Sequence, residues 1–470
     1  MESILQNYND VLKKTINDIF HANLKKQLDQ LDINGNVMNY VNLLSNLDQS
    51  LCEMAKVSLK TLFETLDKSF KKSMERKSKY SIKSHHERTI LTIFGEVSFK
   101  RTFYTSKTSG KNYCYVDRLL GLHKYDYFDP YLKSIILEYS ADNSMPKTAK
   151  YINNLIGNRI YIDDKFQYFS RQTVRNIILN SKLSHMKMEQ VDETPEELYI
   201  IADEKWIHTQ NNDHNDVMEK SIVLFEDIKN HKLVNKMIFA SLDKSFLDNA
   251  LNYINDKYDV EKIKRIYCMG DGASWIKSLQ YEFKFHKDMK VIYGLDKFHF
   301  LQALHHLCFD EELEKTMKDR ILTDMKEEFN FLCDSLIIKS PHRIDVILEK
   351  QQYILNNWKF IYNMYHFHLS CPMESQISHN LAALFTSRPK GFSIEMINIL
   401  TKLRLLYKNK FNIKKLFFHN FNSLEIITIN KEELNFDILD SNKSFTPAYK
   451  DKLYHPTLSF FSMKNNSNYY

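Results

Sequence analysis

Apolar residues recur every three or four positions through much of the first eighty residues. Ile4, Tyr8, Val11, Leu12, Thr15, Ile16 and Ile19 keep this spacing, as do Leu51, Met54, Ala55, Val57, Leu59 and Leu62. Such a period predicts amphipathic helix. The period changes near residue 88. Arg88–Ile93 and Val97–Tyr104 are rich in β-branched and aromatic residues and flank Phe94-Gly95-Glu96, which predicts a β-hairpin. In its second strand Phe99, Arg101 and Phe103 share one face, and Lys100 and Thr102 the other. Helical spacing returns over Tyr131–Tyr139, again from Met145-Pro146, and again after Ser170, a predicted N-cap.

A polar stretch ending in Asp192-Glu193-Thr194-Pro195 reads as a domain boundary. Beyond it, strand-like segments cover Glu197–Asp203, Ser221–Phe225 and Lys236–Ser241. A helix from about Phe246 to Tyr258 follows, then a strand Lys264–Met269, a short helix, and a strand Lys290–Tyr293. Three strands, helix, strand, helix, strand suits a mixed sheet of the ribonuclease H type, whose first three strands form a meander. From Phe298 to His368 the pattern is helical, strongly charged and free of glycine, so it reads as an all-helical insertion. Residues 371–385 predict one more helix, closed by Ser387-Arg388-Pro389-Lys390-Gly391, and periodicity fades after about residue 418.

The expected architecture is α/β and multidomain. It comprises a helical N-terminal region (1–84), a β-hairpin segment (85–125) and a helix-turn-helix-like DNA-binding domain (126–190). The ribonuclease H-like core has a first part (196–300), the helical insertion (301–369) and an end (370–418), before a C-terminal tail (419–470). Composition fits this picture without sharpening it. Hydrophobic residues make up 43% and charged residues 26% of 470, the balance of a globular chain. Only 9 Gly and 8 Pro argue against long linkers. A net charge of +6 permits nucleic-acid binding without requiring it. Six scattered cysteines form no CxxC pair, so neither a disulfide framework nor a zinc knuckle is expected, and a reducing cytoplasm is. No signal-peptide pattern and no apolar run near the ~20 residues of a membrane span are present.

The candidate chemistry lies in carboxylates. Asp203 follows the apolar run Leu198–Ala202, and Asp271 follows Ile266–Gly270, so each is expected at a strand end on one sheet edge. Two hard oxygen donors there can hold Mg²⁺. Glu374, on the helix after Pro372, is the expected third ligand of a two-metal site. Each residue also has an ordinary reading: a polar strand terminus, a turn at Asp271-Gly272, a glutamate favoured by a helix dipole. Asp296 can cap the helix after the last strand, with His299 one turn on. That pair is either structural or a support for a metal or phosphate. The helix opening Ser170-Arg171-Gln172-Thr173-Val174-Arg175 is either a DNA-reading helix or an ordinary polar face. The run Lys71–Lys79 is either a solvated helix end or a DNA contact.

Several stretches together resemble the ISLre-type bacterial insertion-sequence transposases, a group with a DDE catalytic core. They are Ala202-Asp203-Glu204, Gly270–Lys277, Leu295–His299, and Glu374–His379 with Ser387-Arg388-Pro389. Upstream, Thr92–Val97, Arg101–Tyr104 and Asp117–Leu122 match as well, so the resemblance covers roughly residues 80–395. It implies a ribonuclease H-like core with a helical insertion, and divalent-metal DNA strand cleavage and joining. By position it places the triad on Asp203, Asp271 and Glu374, supported by Asp296, His299 and His379. The metal would be Mg²⁺, with Mn²⁺ as a substitute, and no organic cofactor is expected. Arg171, Gln172, Thr173, Arg175, Arg388, Lys402 and Arg404 would contact DNA. Gln302, Leu384-Phe385 and Phe392 depart from the family pattern. The implied partners are double-stranded DNA, at terminal inverted repeats and target, and a second copy of the chain or more on DNA, with no membrane. The implied setting is a bacterial cytoplasm, at the nucleoid. A host nuclease on the same core and a catalytically inactive DNA-binding derivative are the competing readings.

Overall fold

The computed structural model describes residues 12–14, 16–22, 25, 37–157, 169–183, 193–210, 216–230, 232–308, 310–369, 385 and 391–422. From residue 37 the elements are a long helix α1 (Val37–Lys72), a short helix α2 (Met74–Lys79) and the strands β1 (Tyr80–Thr92), β2 (Gly95–Ser106) and β3 (Asn112–Tyr113). Ser73 caps α2 by accepting the Arg76 N–H. The hairpin is longer than its sequence predicts, because β1 begins at Tyr80 rather than near Arg88. Residues 80–87 are mostly polar and mostly exposed, Ile82 included, so no apolar alternation marks them. Ladder pairing with β2 holds them instead, from Tyr80↔Ser106 to Thr92↔Gly95. The region expected to be helical to residue 84 therefore ends as strand.

Helix α1 lies along β2 and supplies what its open edge lacks. The Lys100 N–H donates to Glu64 at 3.1 Å, and the Thr102 N–H and Oγ1 donate to the Asp67 carboxylate at 3.0 and 2.6 Å. Rings lock the contact: Phe63 packs edge-on against Phe99, and Phe70 stacks on Tyr115, in helix α3 (Tyr115–Leu119). Asp117 on α3 accepts ion pairs from Arg88, at 2.8 Å, and from Arg101. The Asp117–Leu122 stretch is thus a structural tie within the hairpin segment, joining both long strands to α3.

Three helices come next: α4 (Pro130–Ser140), α5 (Met145–Gly157) and α6 (Arg171–Asn180). Asp129 caps α4 and Ser170 caps α6, the latter in a reciprocal box with Thr173. Ile136, Ile152, Val174 and Ile178 close their shared core.

The central sheet contains β4 (Glu197–Ile207), β5 (Val217–Phe225), β8 (Met237–Ser241), β9 (Arg265–Gly270) and β10 (Lys290–Leu295), in the order β10-β9-β4-β5-β8. Strands β4, β5 and β8 are an antiparallel meander, and β9 and β10 run parallel to β4. A small hairpin, β6 (Asp227–Lys229) with β7 (Lys232–Val234), was not expected. Three-residue exposed strands carry no readable period.

Alternation along β4 separates two cores. Leu198, Ile200 and Ala202 face helices α7 (Ser245–Lys257) and α8 (Ser274–Glu282). Ile201 faces the opposite side, under α9 (Lys297–Leu307), α10 (Glu311–Leu322), α11 (Lys326–Lys339) and α12 (Ile344–His366). On α12 the residues Ile354, Trp358, Ile361 and Met364 form one buried stripe at helical spacing. The helical stretch after residue 296 is thus a cover for one face of the sheet. Helices α13 (Ile394–Lys408) and α14 (Ile413–Asn422) complete the described chain, with Ile397, Leu400 and Phe417 joining the α4–α6 core.

Candidate active site

The carboxylates sit where the parallel half of the sheet ends. Strand β9 stops at Gly270 and β10 at Leu295, so Asp271 and Asp296 both follow strand ends. Asp203 differs from its expected place, because β4 continues to Ile207. The parallel pairing of β4 with β9 stops at Ile201↔Met269, while antiparallel pairing with β5 carries on through Asp203↔Ser221. Asp203 is therefore at an edge on one side only. The sequence shows an apolar run ending there because burial between two neighbours ends there.

These groups feel one another. Burial pushes the Asp203 carboxyl up to about 6; the charge of Asp271 adds to this, while the Glu204 N–H, at 2.8 Å from Oδ1, and His299 oppose it. Asp296 is also raised, first by burial, with His299 opposing and Asp271 adding. His299 Nε2 lies 3.8 Å from Asp296 Oδ2. The Asp296 carboxylate caps α9 through the Phe298 N–H. Burial lowers Lys277 on α8, and Asp271 opposes that shift. Next to the cluster, Trp275 Nε1 donates to Glu204 at 2.5 Å, and Lys220 Nζ lies over the Trp275 ring.

The turn that carries Asp271 is held from several sides. Its own Oδ1 accepts the Ala273 N–H at 2.9 Å. The buried Tyr293 hydroxyl donates to the Gly270 carbonyl at 3.2 Å. The Tyr353 hydroxyl, from α12, donates to the Asp271 carbonyl at 2.8 Å. The glycines are required by space and angle. A Cβ on Gly270 would lie 2.6 Å from Ile276 Cγ2 and 3.0 Å from the Ala202 carbonyl. Gly272 has φ +99°, and a Cβ there would meet Asn357 Oδ1 at 3.0 Å. Tyr293, Tyr353 and Asn357 were not singled out from sequence. Tyr353 and Asn357 lie on a helix more than eighty positions downstream, and no local pattern marks a residue for a contact of that separation.

The other expected site residues are scattered. Glu374, His379 and Arg388 lie outside the described residues. Arg171 and Gln172 are exposed in the first turn of α6, with Thr173 and Arg175 partly exposed. One expected phosphate contact, Arg404, needs correction. Arg404 is buried and donates to Asp142 at 2.7 Å and to the Ala141 carbonyl, which ties α13 to the end of α4. Lys402 reaches the Leu183 carbonyl at 3.3 Å and is lowered by burial. Basic residues on a helix packed on two sides serve the packing. Among the described residues no three His, Cys, Asp or Glu side chains are grouped so as to hold a metal ion. Among them, too, no helix is long and apolar enough to cross a membrane.

A family model for the uncharacterised protein family UPF0236 matches residues 33–419, which includes the sheet, its helical cover and the hairpin. The chain belongs to UPF0236. Similar members occur in Caldanaerobacter subterraneus subsp. tengcongensis. One is 28% identical over 388 residues, spanning 79% of this chain and 78% of its own. Another is 26% identical over 391 residues, spanning 80% of each, and its name joins eleven locus designations. Among solved structures, the Drosophila P element transposase strand transfer complex aligns with 63% of this UPF0236 chain and 82% of its own. Identity is 11% and the TM-score 0.26, a likeness too slight to argue from.

Proposed function

We propose that this UPF0236 chain is a DDE transposase of the ISLre type, which cleaves DNA at element ends and joins it to a target. The carrying observation is the register of two neighbouring parallel strands: β4 and β9 pair last at Ile201↔Met269, so Asp203 and Asp271, each two positions on and each half-buried, lie at the same end of the sheet. Like charges brought together out of water call for a cation. The sheet supports a ribonuclease H-like reading, since an antiparallel meander is followed by two strands parallel to its first. A relative whose single name covers eleven loci fits a sequence that multiplies within a genome.

The donor set fits Mg²⁺ in kind: carboxylate oxygens, with Asp203 and Asp271 as holders and Glu374 as the proposed third. When bound, the ion would supply charge neutralisation at the scissile phosphate and raise the acidity of the attacking hydroxyl. The chain's own part is placement. The turn ties to Tyr293 and Tyr353 fix the Asp271 main chain, and the Glu204 N–H fixes Asp203. Water would attack phosphorus and the bond to the 3′-oxygen would break, leaving a 5′-phosphate and a free 3′-hydroxyl; that hydroxyl would then attack a target phosphodiester, whose own 3′-oxygen would leave.

The test is a cleavage and strand-transfer assay on the element's ends with Mg²⁺ or Mn²⁺. Asp203→Asn, Asp271→Asn and Glu374→Gln should each abolish both steps while DNA affinity stays within a few-fold. Near-normal cleavage by any one variant removes that residue from the triad. Cleavage without joining in the wild type would favour a host nuclease.

A further inference from the structure

We propose that the open end of the β1–β2 hairpin docks the phosphate backbone of duplex DNA. The choice of DNA over another polyanion rests on the function proposed above; the surface itself does not.

Residues 71–83 and 98–113 hold ten Lys and Arg against a single carboxylate, Glu75. Their net charge of nine exceeds the +6 of the whole chain, so the rest of the molecule is net negative. The fold gathers these two stretches. Tyr80 pairs with Ser106 in the ladder, the Lys107 N–H donates to the Lys79 carbonyl at 2.9 Å, and Lys107 Nζ reaches the Lys77 carbonyl at 2.6 Å. Lys83 Nζ donates to the Asn112 side chain at 3.0 Å.

Within this end, Lys79 is paired with Glu75 and Arg101 with Asp117. Lys77, Lys83, Lys107 and Lys111 are exposed and have no carboxylate partner among the described residues. Like charges gathered at one end of a ribbon repel one another in the free protein, most strongly at low salt. A polyanion relieves that repulsion and releases its own counterions. The loop between β2 and β3 leaves room for it: a Cβ on Gly110 would meet nothing within 4 Å. A two-stranded ribbon is also an element that the DNA major groove admits.

The experiment is fluorescence anisotropy of the full chain with a labelled duplex across a potassium chloride series. Each neutralised phosphate contributes about 0.9 to the slope of log affinity against log salt. The variant K77Q/K83Q/K107Q/K111Q should therefore flatten the slope by roughly 3 to 4, and the matching four-arginine variant should keep it. Circular dichroism checks that the exposed substitutions leave the fold intact. An unchanged slope in the glutamine variant overturns the proposal. So does binding to phosphatidylserine vesicles that exceeds duplex binding at equal salt and is lost in the same variant. Steep, lysine-dependent DNA binding without metal-dependent cleavage would sink the transposase reading and leave this surface standing.

Discussion

Asp129 uses one carboxylate oxygen and leaves the other idle. Oδ1 accepts the Tyr131 and Leu132 N–H groups at the start of α4, whereas Oδ2 is buried with no hydrogen-bond partner among the described residues. It borders a cavity of about 450 Å³, lined by Leu59, Phe63, Phe94 and Tyr131 among others. Burial pushes this carboxyl up to about 6, against the opposing N–H bonds. The folded state thus holds the proton more tightly than the unfolded chain does. That contribution is fully present below about pH 4, and it is lost as pH rises through about 6. Asp129→Asn keeps the cap and removes the buried charge. It should stabilise the protein by about 2 kcal/mol at pH 7 to 8 and by nearly nothing at pH 4, in urea unfolding at each pH. A gain that is equal at both pH values would mean that charge burial is not the cause. Tyr353→Phe is the matching test at the site. It should cost about 1 kcal/mol of stability. It should also slow metal-dependent cleavage far more than it weakens DNA binding, because a small misplacement of a reacting group is costly. Equal losses in both would leave Tyr353 a packing residue only.

Among elements, β2 shows how an edge strand is managed. Strand β1 pairs with one side, and β3 covers only Tyr104 and Thr105 on the other. An uncovered ladder is a template for association. Helix α1 covers the gap with carboxylates, Glu64 at Lys100 and Asp67 at Thr102. Asp67 is buried and Glu64 is not. Asp67→Ala, which leaves the buried Thr102 N–H unmatched while the hydroxyl keeps His85 Nδ1 at 3.0 Å, should therefore cost about 2 kcal/mol, and Glu64→Ala under about 1. Denaturant titration of the two variants decides it: equal small costs would show that the rings, not the carboxylates, hold α1 in place. The helix period of α1 was legible from Leu51 to Leu62. Its role as an edge cover was not, because an acidic residue on a helix looks the same in sequence whether it faces water or a strand.

At the scale of the molecule, α13 joins the sheet to the α4–α6 helices. Thr401 donates to the buried Glu219 of β5 at 2.5 Å, and one turn on Arg404 holds Asp142 beyond the end of α4. Arg404→Ala removes a buried partner from both an ion pair and a carbonyl. It should cost about 1 to 2 kcal/mol, read by denaturation, because the Asp142 left behind is exposed and keeps Lys408 at 3.5 Å, and it should raise protease cleavage between α4 and α5. Loss of stability under about 0.5 kcal/mol would place the join in the apolar contacts alone. A helix expected to display Arg404 to DNA thus turns that side chain inward. Amphipathic spacing gives the existence of the helix but not the number of its faces that are covered.

Local neighbours set what the sequence determined by itself. The strand order from Glu197 to Leu295, the caps at Ser170 and Asp296, the hairpin turn at Gly95 and the apolar runs leading to Asp203 and Asp271 all follow from side chains two to four positions apart. Backbone geometry repeats on that scale, so the pattern carries the element. The tertiary structure alone decided which groups converge. Tyr353 meets Asp271 across 82 positions and Arg404 meets Asp142 across 262. Only the tertiary structure, too, shows that the helical stretch roofs the sheet, and that Lys77 and Lys83 share one end with Lys107 and Lys111. Such contacts depend on how whole faces pack. The composition of each segment is compatible with many packings, and burial selects among them by the core that the assembled elements close together.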